Sequence, residues 1–361
     1  MKLNTHLENL PVYLPGRPID EVARELGLPA DDIVKLASNE NPLGPSLQAV
    51  RAVRKCLRNL HLYPDGSSFH LKQGIAQKLG VEVCNLVLGS GSNELLELLG
   101  HALLRPGAQA VASQYCFAVY PIVTRLFGAE FVEVKAMNFG HDLSAMRAAI
   151  TPRTTIVFVA NPNNPTGTRV SNDELLEFIR SVPEDVVIAM DEAYIEFLQD
   201  PVDLVPMIRA GRKNLVILRT FSKIYGLAGL RVGYALTSRE MAAALEKIRQ
   251  PFNLTTPAQT GALAALDDEK HLQRTRKNNA TGLRFFVRHF KEMGIEFIPS
   301  CANFILAKVG DGQGIFEALQ RHGVITRPMR GYGLPEWLRI SIGRASQNRR
   351  CVEALRTALE K

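Results

Sequence analysis

Lys223 and Arg231 stand eight residues apart in Thr220-Phe-Ser-Lys223-Ile-Tyr-Gly-Leu-Ala-Gly229-Leu-Arg231-Val-Gly233, just past a strand-like apolar run. A lysine at a buried strand end is costly unless it is neutralised or used. Forming an imine with an aldehyde removes that cost and makes the amine a covalent catalyst. Ser222 and Arg231 then supply a hydroxyl donor and a fixed cation for a phosphate. On its own, a lysine among glycines is most often a surface residue. The other strand ends change that reading.

Asp191 follows Val186–Met190, so its carboxylate stands where a buried strand opens. There it can pair with a pyridinium nitrogen and keep it protonated, making the ring an electron sink. As a plain turn residue it would cap the loop instead. Tyr194 can donate to a phenolate oxygen on the same ring, or serve as core with a wet tip. Asn161-Pro-Asn-Asn164-Pro-Thr-Gly167 is a tandem X-Pro turn, either a tight loop or a device aiming the Asn164 amide. Gly91-Ser92-Asn93-Glu94 opens a helix, where free N–H groups and the dipole favour a phosphate, although the same turn is also good capping.

Elements that could hold these residues alternate along the chain. Strand-like runs at 86–88, 110–112, 131–134, 155–159, 186–190 and 215–218 are interleaved with helical patterns at 93–104, 119–127 and 173–180. Such alternation predicts an α/β fold with a mostly parallel sheet covered on both faces. Ligands of open parallel sheets bind outside the carboxyl ends of the strands, where the candidate residues gather. After about residue 255 the texture changes: a helical stretch at 257–293 leads into strands at 304–308 and 338–342 with helices between and after. The expected organisation is an N-terminal segment of residues 1–40, a large domain of 41–255, and a smaller α+β domain of 256–361.

Composition narrows the class. Glycine, at 27 of 361 residues, and proline, at 20, match globular usage, and mean hydropathy is −0.02. No apolar run approaches the roughly 18 residues of a membrane span. The opening MKLNTHLENLPVYLPG lacks a signal-like apolar core, so a cytoplasmic protein is expected. Five scattered cysteines lack metal or redox spacing and read as buried free thiols in a reducing compartment. The net charge of +7 includes clusters such as Arg51, Arg54, Lys55 and Arg58. Their helical spacing reads as a solvated face, with no nucleic-acid partner and no metal expected.

Taken together, Ser222-Lys223 with Arg231, Asn164-Pro-Thr-Gly167 and Asp191-Glu-Ala-Tyr194 resemble the fold-type I pyridoxal-phosphate aminotransferases of class II. The resemblance runs from Leu36-Ala-Ser-Asn-Glu-Asn-Pro-Leu-Gly44 to Leu338-Arg-Ile-Ser-Ile-Gly343. Pro15–Gly27 and Tyr63-Pro-Asp-Gly66 are most similar to the histidinol-phosphate group, in a style that aromatic aminotransferases share. The resemblance implies that Lys223 forms the internal aldimine with pyridoxal 5'-phosphate and acts as general base in a ping-pong transamination. It also implies Asp191 at the ring nitrogen, Tyr194 and Asn164 at the ring oxygen, and Ser92, Asn93, Ser222 and Arg231 at the phosphate. Many relatives carry Asp where Asn93 stands, so this chain lacks a negative charge there.

Further positions follow from the same resemblance. Tyr115 would stack on the ring, and Tyr63 would reach the phosphate of a partner subunit's cofactor, so a homodimer is expected. Arg339 would bind the substrate anion, Arg327, twelve residues earlier, would be a second phosphate-binding arginine, and Tyr13 would close the pocket. A surface salt bridge is the plain alternative for Arg327. The implied substrates are L-histidinol phosphate and 2-oxoglutarate, giving imidazole acetol phosphate and L-glutamate. An aromatic amino-acid aminotransferase and a phospho-amino-acid decarboxylase are the competing readings on this scaffold, and a non-catalytic cofactor-binding module is the competitor of another class.

Overall fold

The structure, a computed structural model, describes residues 5–360 apart from 9, 11, 13 and 14, so Tyr13 lies outside the described residues. After β1 (Val34–Lys35), one sheet is built from β2 (Leu86–Gly89), β3 (Gln109–Ser113), β4 (Glu130–Val134), β5 (Thr154–Ala160), β6 (Val187–Asp191), β7 (Leu215–Thr220) and β8 (Gly233–Leu236). Its order is β2-β8-β7-β6-β5-β3-β4. β3 through β7 run parallel, and β8 is antiparallel to both neighbours. Every residue of β6 is buried. Ile188 and Met190 enter one apolar cluster, Val187 and Ala189 another, as a parallel sheet covered on both faces requires. The strand order reverses between β3 and β5, which opens a crevice at their carboxyl ends.

The helical stretch expected over 257–293 is two helices, Thr256–Leu266 and Glu269–Glu292. The break is a capping event. Asp268 accepts the N–H of His271 at 3.2 Å and starts the second helix. Beyond it come β9 (Phe297–Ile298), β10 (Phe304–Lys308), β11 (Val324–Ile325), β12 (Arg327–Pro328) and β13 (Trp337–Ser341). An antiparallel sheet has the order β12-β13-β10-β9, while β11 pairs in parallel with β1. Val22, Ile33, Leu36 and Ala37 share one core with Phe286, Phe290, Ile305 and Ile340. Among the described residues, no helix is long and apolar enough to cross a membrane.

Beneath the ends of β6 and β7, Arg219 Nε donates to Glu192 Oε2 at 2.8 Å, with the two side chains 14% and 2% exposed. This pair ties together the strands that lead into Asp191 and Lys223. Nearby, Glu196 Oε2 is sealed from solvent and makes no hydrogen bond. Burial pushes the Glu196 carboxyl from 4.5 up to about 7, against the pull of Arg219. A raised folded-state value means that the folded chain keeps this proton while the unfolded chain loses it. Stability therefore falls as pH rises from 4.5 to about 7 and stays at that lower level above. Glu196→Gln should flatten that fall and stabilise the protein by about 2 kcal/mol on the alkaline side. Urea unfolding on the two sides of this window measures it, and parallel pH curves for the two proteins would refute it.

Candidate active site

The crevice begins where β2 runs through Gly89-Ser90-Gly91 into the helix Ser92–Leu103. At the facing strand end, Arg231 holds a left-handed φ of +55° and donates from Nη1 to Ser222 Oγ and to the Ala228 carbonyl, each at 3.2 Å. Two glycines permit this approach. A Cβ on Gly233 would stand 2.6 Å from Ser92 N and 2.7 Å from Gly91 C, and one on Gly91 would strike the Arg231 guanidinium. Ser222 is fixed in turn, because Thr220 Oγ1 donates to its hydroxyl at 3.0 Å and accepts its N–H at 3.1 Å. The result is a cradle of helix N-terminus, hydroxyl and guanidinium, whose chemistry suits a phosphate dianion.

Lys223 lies in the next loop. Its Nζ reaches the Ser38 carbonyl at 3.3 Å and sits 5.5 Å above the Tyr194 ring. Asp191 is buried at the end of β6; Oδ2 accepts the Tyr120 hydroxyl at 2.8 Å and Oδ1 the Ala193 N–H at 3.1 Å. Burial raises the Asp191 carboxyl above its ordinary range, while the Tyr120 and Ala193 hydrogen bonds and the Lys223 charge pull it back. Tyr194 is buried, and desolvation pushes its hydroxyl up to about 12 despite the Arg339 charge and a hydrogen bond from Asn39. Asn164 Oδ1 accepts Arg339 Nη1 at 2.6 Å, which leaves its Nδ2 as the donor the amide presents. Both Asn161-Pro162 and Asn164-Pro165 are cis.

Arg339, 7% exposed, also donates from Nη2 to the Ala37 carbonyl at 2.7 Å. Arg327 on β12 is directly opposite Arg339 on β13 in the antiparallel register. Directly opposed like charges repel, and an anion between them relieves that repulsion. A cavity of about 250 Å³ gathers Lys223, Asp191, Tyr194, Asn164, Ser92, Asn93, Ser222, Arg231, Arg327 and Arg339.

Two expected residues lie elsewhere. Tyr115 does not line this cavity; its left-handed φ of +56° turns the ring onto Phe139, with centroids 5.8 Å apart. Phe117 lines the cavity in its stead and is the aromatic available to a flat ring. Tyr63 is 83% exposed and stacks on Phe252 at 4.9 Å, outside the cavity of its own chain. Residues that sequence reasoning passed over are Phe117, Tyr120 and Asn39. Phe117 carries a signal, as a second aromatic at the same strand end, whereas Tyr120 stands inside the helical pattern at 119–127 and carries none.

Similarity to known proteins extends over the same residues. The sequence profile of Aminotransferase class I and II matches residues 31–355. Histidinol-phosphate aminotransferase of Akkermansia muciniphila is 52% identical over 99% of this chain and 98% of its own. Histidinol-phosphate aminotransferase 2 of Pseudomonas aeruginosa is 48% identical over 97% of this chain and 95% of its own. The solved histidinol-phosphate aminotransferase of Sinorhizobium meliloti, in complex with pyridoxal-5'-phosphate, superposes with a TM-score of 0.89 at 27% identity, over 99% of this chain and 98% of that one. The chain belongs to the class I and II aminotransferase family, and within it to the histidinol-phosphate aminotransferases.

Proposed function

We propose that the protein transfers the amino group of L-histidinol phosphate to 2-oxoglutarate, giving imidazole acetol phosphate and L-glutamate, with pyridoxal 5'-phosphate as cofactor and in service of L-histidine biosynthesis. The observation that carries this reading is a single cavity in which Lys223 and Asp191 share walls with Arg231 and with the opposed pair Arg327 and Arg339. A phosphorylated cofactor and an anionic substrate need two separate sets of cations, and the cavity has both. The cradle closed by Gly91 and Gly233 fits the cofactor phosphate, and the buried Asp191 carboxylate fits a protonated ring nitrogen.

When bound, the cofactor supplies an aldehyde for the lysine and an electron sink for the pair left at the substrate Cα. Lys223 would hold it covalently at rest and, once displaced by the substrate amine, would carry the proton that leaves the substrate Cα. Asp191 keeps a proton at the ring nitrogen. Tyr194 and the Asn164 amide donate towards the ring oxygen, and Phe117 gives the ring a platform. Ser92, Asn93, Ser222 and Arg231 bind the phosphate. Arg339 takes the carboxylate of glutamate, and Arg327 joins it on the phosphate of histidinol phosphate, because a planar guanidinium suits both anions.

The same reading divides the chain into an N-terminal segment of residues 1–40, a cofactor domain of 41–255 and a small domain of 256–361; pairing of β1 with β11 supports packing of the first on the third. It makes the enzyme a homodimer in which Tyr63 reaches the partner's cofactor. Support comes from the exposure of Tyr63 beside the exposed apolar side chains Leu57, Leu60, Leu62 and Phe69. All five cysteines are free, which supports a cytoplasmic location; against the expectation of burial, only Cys116 and Cys351 are buried, Cys56 and Cys301 are half-buried and Cys84 is exposed.

Steady-state rates with histidinol phosphate and with phenylalanine, each with 2-oxoglutarate, test the substrate. Faster turnover of phenylalanine would make the enzyme an aromatic aminotransferase, and carbon dioxide release without a keto acid would make it a decarboxylase. Arg327→Ala should weaken histidinol phosphate by at least about 1.5 kcal/mol, a little over tenfold in kcat/KM, and glutamate by less. Equal losses for both substrates would remove Arg327 from phosphate recognition.

A further inference from the structure

Asn39 is a buried polar residue on the N-terminal segment, 1% exposed and held at a left-handed φ of +56°. Its polar groups are matched one by one. The backbone N–H donates to Ser341 Oγ at 2.8 Å, and the carbonyl accepts Asn303 Nδ2 at 2.9 Å. The Ser341 hydroxyl donates to Asn39 Oδ1 at 2.9 Å, and Asn39 Nδ2 donates to the Tyr194 hydroxyl oxygen at 2.9 Å.

The directions in this chain follow from the orientation of the Asn39 amide, with Oδ1 towards Ser341 and Nδ2 towards Tyr194. Ser341 Oγ accepts a backbone N–H, which has no other role it could play, so the serine proton is free to turn to Asn39 Oδ1. With its oxygen so engaged, the Asn39 amide must present its NH₂ to Tyr194. Tyr194 therefore receives a hydrogen bond on its oxygen, and its own proton is left to point into the cavity. Donation onto the oxygen also lowers the hydroxyl's proton affinity, in opposition to its burial. A better donor results.

We propose that Ser341 and Asn39 are positioning residues that orient the Tyr194 proton towards the cofactor's ring oxygen and strengthen it as a donor. The inference rests on the assignment of Tyr194 to that oxygen. It gives the antiparallel sheet a second link to the cofactor site, because Ser341 lies two residues beyond Arg339 on β13 and so faces the same way. The backbone supports this placement, since Ser341 N–H donates to the Leu36 carbonyl at 2.8 Å. The charged groups around Tyr194 are Arg339, Asp191 and Lys223, and the substitutions below leave all three in place.

The resting holoenzyme provides the readout without turnover, as the pH midpoint at which the bound cofactor's visible band changes. Donation to the ring oxygen stabilises its anionic form and loosens the proton that this oxygen shares with the neighbouring nitrogen. Losing the donation raises the midpoint. Tyr194→Phe sets the full effect, and Ser341→Ala should produce part of it, an upward shift of about half a pH unit. Asn39→Asp keeps the left-handed backbone but offers Tyr194 an acceptor, so its shift should be larger. In the Tyr194→Phe background, Ser341→Ala should add nothing.

Variants that hold cofactor and leave the midpoint at the native value, while Tyr194→Phe moves it, would overturn the relay. An equal Ser341→Ala shift with and without Tyr194 would overturn it too, by showing a general structural effect. If Asn39→Asp fails to fold, Ser341→Ala and its double variant decide the matter alone. A native enzyme with no visible band, or a Tyr194→Phe variant with an unmoved midpoint, would instead defeat the underlying cofactor assignment.

Discussion

Lys223→Ala is expected to lower transamination by at least about 10⁴-fold, because one side chain serves as covalent anchor and as proton carrier. Lys223 is the one lysine among the described residues lining the cavity. Its Nζ stands beside the Ser38 carbonyl and over Tyr194, so no second amine is at hand to replace it. The cradle of Ser92, Ser222 and Arg231 does not depend on Lys223, and the variant should still bind the cofactor reversibly. Borohydride treatment followed by peptide mass mapping separates the two roles. The native protein should carry the cofactor on the Lys223 peptide, and the variant should release all of it on denaturation. Native turnover in Lys223→Ala, or a label on another peptide, would mean that the amine is structural.

Much of this site was legible because its residues follow short apolar runs at strand ends. The runs Val186–Met190 and Leu215–Leu218 put Asp191 and Lys223 at strand ends, and β6 and β7 end within two residues of those runs. Local chemistry also marked the Gly91 turn and Arg231. What escaped depends on backbone sign or on distant register. Tyr115 and Phe117 are two aromatics at one strand end; Tyr115 takes a left-handed φ and stacks on Phe139, and Phe117 meets the cavity. A tyrosine in that region is uncommon, so residue type gives no warning of it.

Tyr120 carries an amphipathic helix pattern, and its hydroxyl finds a partner 71 positions away in Asp191. Asn39 and Ser341 are 302 residues apart. Arg327 and Arg339 were legible as a spacing of twelve, but their face-to-face position follows from the β12–β13 register. Periodicity alone likewise ran two helices into one, because Asp267-Asp268 interrupts the chain without interrupting the apolar rhythm.

Asp191→Asn should lower kcat by about 10²–10³-fold while leaving the fold intact. The substitution is nearly isosteric, and an amide can still meet the Tyr120 hydroxyl and the Ala193 N–H that now hold the carboxylate. What it removes is charge. A buried carboxylate is expensive to keep ionised, and here burial raises its pKa above the ordinary 3.8 even with two hydrogen bonds and the Lys223 charge opposing the rise. Retaining a carboxylate at such a position makes chemical sense if its partner is a cation, and a protonated ring nitrogen is that partner. Pairing with that cation opposes the rise and favours the ionised carboxylate, so Asp191→Asn should lose activity across the working pH range. kcat and kcat/KM should drop together, since the charge is needed most when the ring takes up electrons. An asparagine variant that binds cofactor and turns over at the native rate would reduce Asp191 to a turn residue, with its charge no more than a burden on the fold.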